Sequence, residues 1–255
     1  MTGTGSGVDE IETPALLVDL NVLHENIRKM ADYFSHAEAA LRPHVKTHKC
    51  PVIARSQLKA GAIGVSCQKL GEAEVMAAAG IDNILITNEI VEPSKIQRLT
   101  ALSKHRRVIV AVDDLNVAKT TSEIALRTGV IQDVVVEVDV GLNRCGVEPG
   151  KPALELAREV LKLRGLRFCG LLGYEGSFMK TPDFEERKAA VNARNKLLVD
   201  TRNLLEEVGI DVEIASAGAT GTYNITGDYQ GVTEVQAGSY VFMDTTYSKL
   251  KLGFG

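Results

Sequence analysis

From Ala15 onward the chain alternates short β-branched runs with longer amphipathic stretches, and no other feature limits its folding choices so strongly. Ala15–Asp19, Leu41–Lys46, Ala62–Ser66, Asn83–Thr87, Val108–Val112, Asp133–Asp139, Arg167–Tyr174 and Val212–Ser216 read as strands. Leu23, Ile27, Met30 and Phe34 mark the apolar stripe of the first helix. Further helices are expected from near His48 to Ala60, around Glu72–Ala79, and over Pro93–Lys104, Leu115–Arg127, Lys151–Leu163 and Asp183–Val208. Eight such strands separated by helices, with no linker between them, predict an α/β fold, a (β/α)8 TIM barrel. The 255 residues match the roughly 250 that one such barrel occupies. An open doubly wound sheet is the rival, but it would more often carry a glycine-rich turn after its first strand. Here that turn is Asp19-Leu20-Asn21, a helix cap.

Composition narrows the function classes. A formal net charge of −4 without a basic cluster argues against nucleic acid as a partner. No apolar run reaches the roughly 20 residues that a membrane helix needs. The cysteines Cys50, Cys67, Cys145 and Cys169 lack metal-type spacing and suit a reducing compartment, so the expected location is cytoplasmic. Met1 to Gly7 is rich in Gly, Thr and Ser, and residues 1–10 are expected to be a disordered lead-in to a barrel over 11–255.

Barrel enzymes carry their sites at the C-terminal ends of strands. On that test Lys46, Cys67-Gln68, Thr87-Asn88, Asp139–Arg144, Tyr174-Glu175 and Ser216–Thr222 should converge. Lys46 stands out. Read at period two it shares a face with Arg42 and His44, and a lysine held away from water loses its proton and becomes a nucleophile toward aldehydes. The small residues of Ser216-Ala217-Gly218-Ala219-Thr220-Gly221-Thr222, and of Val235-Gln236-Ala237-Gly238-Ser239-Tyr240, let backbone amides approach an anion. Arg144 could bind a phenolate or carboxylate, or could pair with Glu137 or Asp139. Tyr174 could contact a ring or close the barrel top. Glu72 and Glu74 read as helix-surface charge, and Cys67 as a small buried side chain. His44 and His48 are separated by a strand-to-helix change and do not make a metal pair.

Taken together, these segments resemble the fold-type III pyridoxal-phosphate enzymes, specifically the D-threonine aldolase and D-serine dehydratase group built on the alanine racemase N-terminal barrel. The resemblance is carried by Thr13-Pro14-Ala15-Leu16-Leu17-Val18-Asp19, Arg42-Pro43-His44-Val45-Lys46-Thr47-His48-Lys49 and Gly141-Leu142-Asn143-Arg144-Cys145-Gly146-Val147. Ser216-Ala217-Gly218-Ala219-Thr220 and Gln236-Ala237-Gly238-Ser239-Tyr240-Val241-Phe242 complete it, and the whole covers about Ile11 to Leu250. It implies that Lys46 forms the internal aldimine with pyridoxal 5′-phosphate and that Arg144 lies beside the cofactor's phenolic oxygen. Ser216, Gly218, Thr220, Gly238, Ser239 and Tyr240 would hold the phosphate, with Tyr174 and Gln68 near the ring.

What the resemblance implies about activity is a lyase acting on small D-3-hydroxy amino acids through a Lys46 Schiff base. Aldol cleavage to glycine and an aldehyde is the first expectation and dehydration the second. An amino-acid racemase, or a single-barrel protein that binds the cofactor without turnover, are the alternatives. A barrel with no cofactor is a third. The group usually continues into a C-terminal β-domain that carries a divalent-metal site and completes the partner's active site in a homodimer. This sequence stops at Gly255 and all five of its histidines lie at or before His105, so no metal ligands are expected here.

Overall fold

The computed structural model describes residues 5, 7–176 and 181–250. Its strands form one parallel sheet: β1 (Ala40–Leu41), β2 (Val65–Cys67), β3 (Ile84–Ile86), β4 (Val108–Val112), β5 (Gln132–Glu137), β6 (Leu166–Leu172), β7 (Ile214–Ala217) and β8 (Glu234–Val235). The order is β1-β8-β7-β6-β5-β4-β3-β2. The two ends of that series meet. Ile63 N–H donates to Leu41 O and Ser66 N–H to Pro43 O, and a parallel bridge joins His44 to Ser66, so the sheet curls into a barrel.

Helices follow the strands because each carries a local stop, start and stripe. Asp19 caps α1 (Leu20–Phe34) by accepting the N–H groups of Asn21 and Val22, and Leu23, Ile27 and Met30 are its buried stripe. Pro51 and Pro93 open α2 (Pro51–Lys59) and α4 (Pro93–Leu102) at positions where an N–H would be unpaired anyway. Asp114 and Asp183 cap α5 (Leu115–Thr128) and α7 (Phe184–Glu207). α3 (Leu70–Ala78), α6 (Lys151–Leu161) and the short α8 (Tyr223–Thr226) complete the set among the described residues.

The strand count is as the sequence predicts, but its membership differs at both ends. Ala15–Asp19 is not a strand; it runs outside the barrel with Leu16 fully exposed and Leu17 and Val18 largely so. A closed barrel has no free edge to offer it. The ring is closed instead by Glu234–Val235, which the sequence reading took as part of a turn. It pairs with β1 through Ala40↔Glu234 and Leu41↔Val235, and with β7 through Ser216↔Glu234 and Ala217↔Val235. Two residues flanked by turns give no periodic signal.

At the start of the chain, Val8–Glu10 makes one exposed 3-10 turn, and the rest of the expected lead-in lies largely outside the described residues. Residues 251–255 also lie outside them.

Alternate residues divide the interior into two layers. Leu41, Val65, Ile84, Ile86, Val108, Val110, Val134, Val136, Ala217 and Val235 face the helices in one continuous cluster. The lumen holds a separate cluster of Leu85, Ile109, Ala111, Val135, Cys169, Leu172 and Ile214. Beside that cluster Arg42 and Glu234, each 2% exposed, form a forked ion pair with Nη2 to Oε2 at 2.7 Å. Arg42 Nη1 also donates to Asn83 O. The barrel floor is tied by Asp133, which pairs with Arg107 and Arg167. The floor is thus closed and the opposite end carries the loops.

Candidate active site

At the C-terminal ends of the strands a cleft with about 500 Å³ of free space is lined by His44, Lys46, Gln68, Thr87, Arg144, Tyr174, Gly218, Thr220, Gly238, Ser239 and Tyr247, among others. Of the residues expected at the mouth, Lys46, Gln68, Thr87, Arg144, Tyr174, Gly218, Ala219, Thr220, Gly238 and Ser239 line it, whereas Cys67, Asn88, Asp139 to Asn143, Glu175, Ser216, Ala217, Gly221, Thr222 and Tyr240 do not. Ser216 is wholly buried one layer below, where its Oγ accepts from Gln236 Nε2. The Tyr240 ring turns away and its hydroxyl accepts from Gln57 Nε2 at 2.8 Å. Asn88 donates to Glu89 O on the exposed rim.

Lys46 is not on the strand. The extended backbone ends at His44, and Val45–Thr47 forms a 3-10 turn that lifts Lys46 into the cleft. The expectation of one basic face therefore fails: Arg42 and His44 are buried, whereas Lys46 stands off the strand with its stem open to solvent and its amine partly desolvated by the cleft wall. His44 braces the turn. Its Nδ1 accepts Lys46 N–H, so its Nε2 carries the proton and donates to Thr87 Oγ1 at 3.1 Å. Burial, with Lys46 nearby, holds His44 well below the ordinary histidine range. The ring is a neutral strut. Lys49, in the left-handed region at φ 51°, donates through Nζ to Lys46 O and faces Glu72 at 3.9 Å.

Glu72 corrects a second reading. It is buried, not a surface charge, and its carboxylate accepts Gln68 N–H at 2.7 Å. Glu74 is on the surface as expected, paired with Arg98. Around Lys46 the net effect is a lowered pKa, caused first by desolvation and then by the charge of Arg144, with Glu72 opposing. The amine is neutral at a lower pH than a free lysine would be.

Lys46 Nζ lies 5.6 Å, and Arg144 Cζ 5.3 Å, from the centre of the Tyr174 ring. Arg144 is delivered by a loop that leaves β5 and returns to it, with Val147 N–H bonded to Glu137 O and Asp139 N–H to Val147 O. Asp139 Oδ1 accepts the N–H groups of Gly141 and Asn143 inside that loop. Behind Arg144 stand Cys145 Sγ, which donates to Glu137 Oε1 at 3.0 Å, and Glu137 itself, 3.8 Å from Nη2. Glu137 is buried against Glu89, and desolvation with the facing carboxyl pushes its pKa up to about 8. Burial and the Glu137 contact push the Cys145 thiol up to about 12, so it is no nucleophile at neutral pH. Glu89, Glu137 and Cys145 form the one grouping of metal-type side chains among the described residues. The Arg144 guanidinium lies beside it, 3.8 Å from Glu137. Cys67 is fully buried, as read from sequence, and burial raises its pKa.

The turns after β7 and β8 form the remaining wall. Among the described residues the N–H groups of Thr220, Gly238 and Ser239 have no protein acceptor, and all three residues line the cleft. Such a concentration of unpaired N–H groups suits an anion. Gly238 lets its turn close on the lysine segment, since a Cβ there would sit 2.4 Å from His44 O. Tyr240 N–H donates to Thr220 Oγ1 at 3.2 Å and ties the two turns together. Aldehyde-reactive amine, guanidinium, aromatic ring and anion cradle therefore share one cleft, which is the donor set that pyridoxal phosphate requires.

Thr87 and Gln236 line the cleft as expected, whereas sequence reasoning missed His44 and Tyr247 as lining residues. The place of His44 beside Lys46 could have nominated it, whereas Tyr247 reaches the cleft from a 3-10 turn (Tyr247–Lys249) that no strand precedes directly.

Comparison with known proteins agrees with this geometry. The family described as alanine racemase, N-terminal domain, matches residues 18–246. A D-threonine aldolase of an Arthrobacter species is 39% identical over 95% of this chain and 64% of its own. A 3-hydroxy-D-aspartate aldolase of Paracoccus denitrificans is 38% identical over 96% of this chain and 64% of its own. The crystal structure of D-threonine aldolase from Filomicrobium marinum superposes with a TM-score of 0.93 at 41% identity, over 96% of this chain and 66% of that one. The D-threo-3-hydroxyaspartate dehydratase from Delftia superposes at 0.87 with 30% identity, over 94% of this chain and 63% of that one. The chain thus spans 64% of the length of the curated aldolases it matches.

Proposed function

Because the chain belongs to the family described as alanine racemase, N-terminal domain, and to the fold-type III pyridoxal-phosphate group, we propose that it is a lyase that cleaves small D-3-hydroxy amino acids. The observation that carries this reading is the convergence of Lys46, Arg144 and Tyr174 with the two N–H-rich turns in one cleft. Pyridoxal phosphate, when bound, supplies an electron sink that lowers the barrier to breaking a bond at the substrate's Cα.

The chain's own residues do the rest. The N–H groups of Thr220, Gly238 and Ser239 would hold the cofactor's phosphate. Tyr174 would support the cofactor's ring, and Arg144, whose guanidinium lies over the Tyr174 phenol ring, would supply a planar fork for the cofactor's phenolic oxygen. Lys46 is the amine that would hold the cofactor's aldehyde and could move a proton at Nζ, a task suited to a pKa below the ordinary lysine value. His44 and Lys49 keep the turn that bears it in place. Desolvation disfavours the charged form of Lys46 and so eases the loss of its proton.

Aldol cleavage is the first reading, since relatives named as aldolases reach 38–39% identity. Dehydration is the second, favoured by the likeness to the Delftia dehydratase. Incubation with pyridoxal phosphate and D-threonine separates them: glycine with acetaldehyde reports cleavage, whereas a 2-oxo acid with ammonia reports dehydration. Absence of an absorbance band that borohydride can trap on Lys46 would reject the cofactor assignment altogether.

A further inference from the structure

Behind the cleft wall lies a buried carboxylate that the reaction described above does not use. Tyr174 and Glu175 are neighbours on the extended segment after β6, and their side chains separate: Tyr174 enters the cleft, while Glu175 is 1% exposed beneath the turn after β7. Its Oε2 accepts Gly218 N–H at 3.0 Å. Its Oε1 accepts the hydroxyls of Thr222 at 2.7 Å and Thr226 at 3.2 Å. Thr222 Oγ1 in turn accepts Ala219 N–H, and Thr226 Oγ1 accepts from Asn195 Nδ2.

These bonds decide which amides of the turn are free. Gly218 N–H is spent on Glu175 and Ala219 N–H on Thr222, which leaves Thr220 N–H without a protein acceptor at the cleft. Gly218 adopts φ +82° there, in the left-handed region that favours glycine. Without the carboxylate, a buried amide and two hydroxyls would lose a charged acceptor, and the turn would rearrange to find another. The same carboxylate belongs to the residue next to Tyr174, so one peptide unit couples the ring platform to the anion cradle.

We propose that Glu175 is a positioning residue that shapes the 218–222 turn for a phosphate monoester without touching it. The inference rests on the cofactor reading above, and its test separates the two. Uptake of pyridoxal phosphate and of pyridoxal, which lacks the phosphate, is measured as borohydride-trapped adduct on Lys46 in the full chain. Glu175→Ala is expected to weaken pyridoxal phosphate by about tenfold or more, the scale of one lost charge-assisted hydrogen bond, and to leave pyridoxal within about twofold. Glu175→Gln keeps an oxygen for Gly218 N–H and lets the threonine hydroxyls reverse, so it should restore phosphate affinity to within about threefold of wild type.

Equal losses for both aldehydes would mean that Glu175 merely supports the fold, and would overturn the proposal. No loss for either would overturn it too. If Glu175→Ala does not fold, Thr222→Val removes the hydroxyl between Glu175 and Ala219 and should show the same selective loss. Should wild type trap neither aldehyde, the cofactor reading fails by itself. Calorimetric titration with inorganic phosphate then reads the turn alone: weaker binding in Glu175→Ala supports its role, and equal or absent binding in both proteins rejects it.

Discussion

On one side of the barrel lumen, β3 to β6 present Leu85, Ile109, Ala111, Val135, Cys169 and Leu172, which pack against one another. On the other, β1, β7 and β8 present Arg42, Ser216 and Glu234, tied by an ion pair, with Gln236 bonded to Ser216 just beyond. The apolar wall is made of strands of three to seven residues, mostly hydrophobic runs, with one register shift between β5 and β6 at Val134/Val135. The polar wall is made of strands of two to four residues held by specific hydrogen bonds. It is the polar wall that ends in the lysine turn and both anion turns. Short strands leave backbone amides unpaired close to the sheet, and those amides are what a phosphate can use.

The sharpest way to break this contrast is at its chemical end. Lys46→Ala should abolish the borohydride-trapped adduct with pyridoxal phosphate while leaving the circular dichroism spectrum of the barrel unchanged; an undiminished adduct would remove Lys46 from its assigned role. Next in size is the buried pair. Glu234→Ala leaves Arg42 charged and unpaired, and should cost about 3–5 kcal/mol of stability, read as a fall in urea midpoint. A loss below about 1 kcal/mol would show that the polar wall is not held by that pair.

A third test uses Gly238, where an alanine Cβ would meet His44 O at 2.4 Å. Gly238→Ala should weaken pyridoxal phosphate by about tenfold, about 1.4 kcal/mol, measured by spectral titration. Ile109→Val on the apolar wall should cost only about 0.5–1.5 kcal/mol and leave cofactor affinity unchanged, which a titration of the same kind would check.

The acid at the top of β5 gives a test in pH. Glu137 is raised from 4.5 to about 8, so the folded chain binds its proton more tightly than the unfolded chain does. The sign follows: stability is greatest below pH 4.5 as far as this group is concerned, and falls as pH rises toward about 8. Glu137→Gln should flatten that part of the profile in thermal melts. A slope that persists in the variant would assign it to another group.

Much of the helix-facing layer was legible because period and caps are local. Leu23, Ile27 and Met30, or Val108–Val112 followed by the Asp114 cap, announce themselves within a dozen residues. The candidate site was legible for a different reason: Lys46, Gln68, Arg144, Tyr174, Gly218 and Thr220 follow expected strand ends, which a barrel brings together, and Gly238 and Ser239 sit in a small-residue turn. The errors share one cause. Ala15–Asp19 has strand-like residues but no neighbour to pair with, while Glu234–Val235 lacks the pattern but has neighbours on both sides. Likewise Glu72 looks like surface charge until Gln68 N–H and Lys49 are seen to surround it.

Periodicity, capping and the order of motifs along the chain thus set the number of units, the barrel and the residues at its mouth, because these depend on neighbours in sequence. Which segment closes the ring, which way Ser216 and Tyr240 point, and which carboxylates stand behind the lysine, the arginine and the anion turn were settled by contacts between residues far apart in the chain, such as Arg42 with Glu234 and Glu175 with Gly218. A strand forms only where another strand is waiting, and a buried charge survives only where its partner arrives.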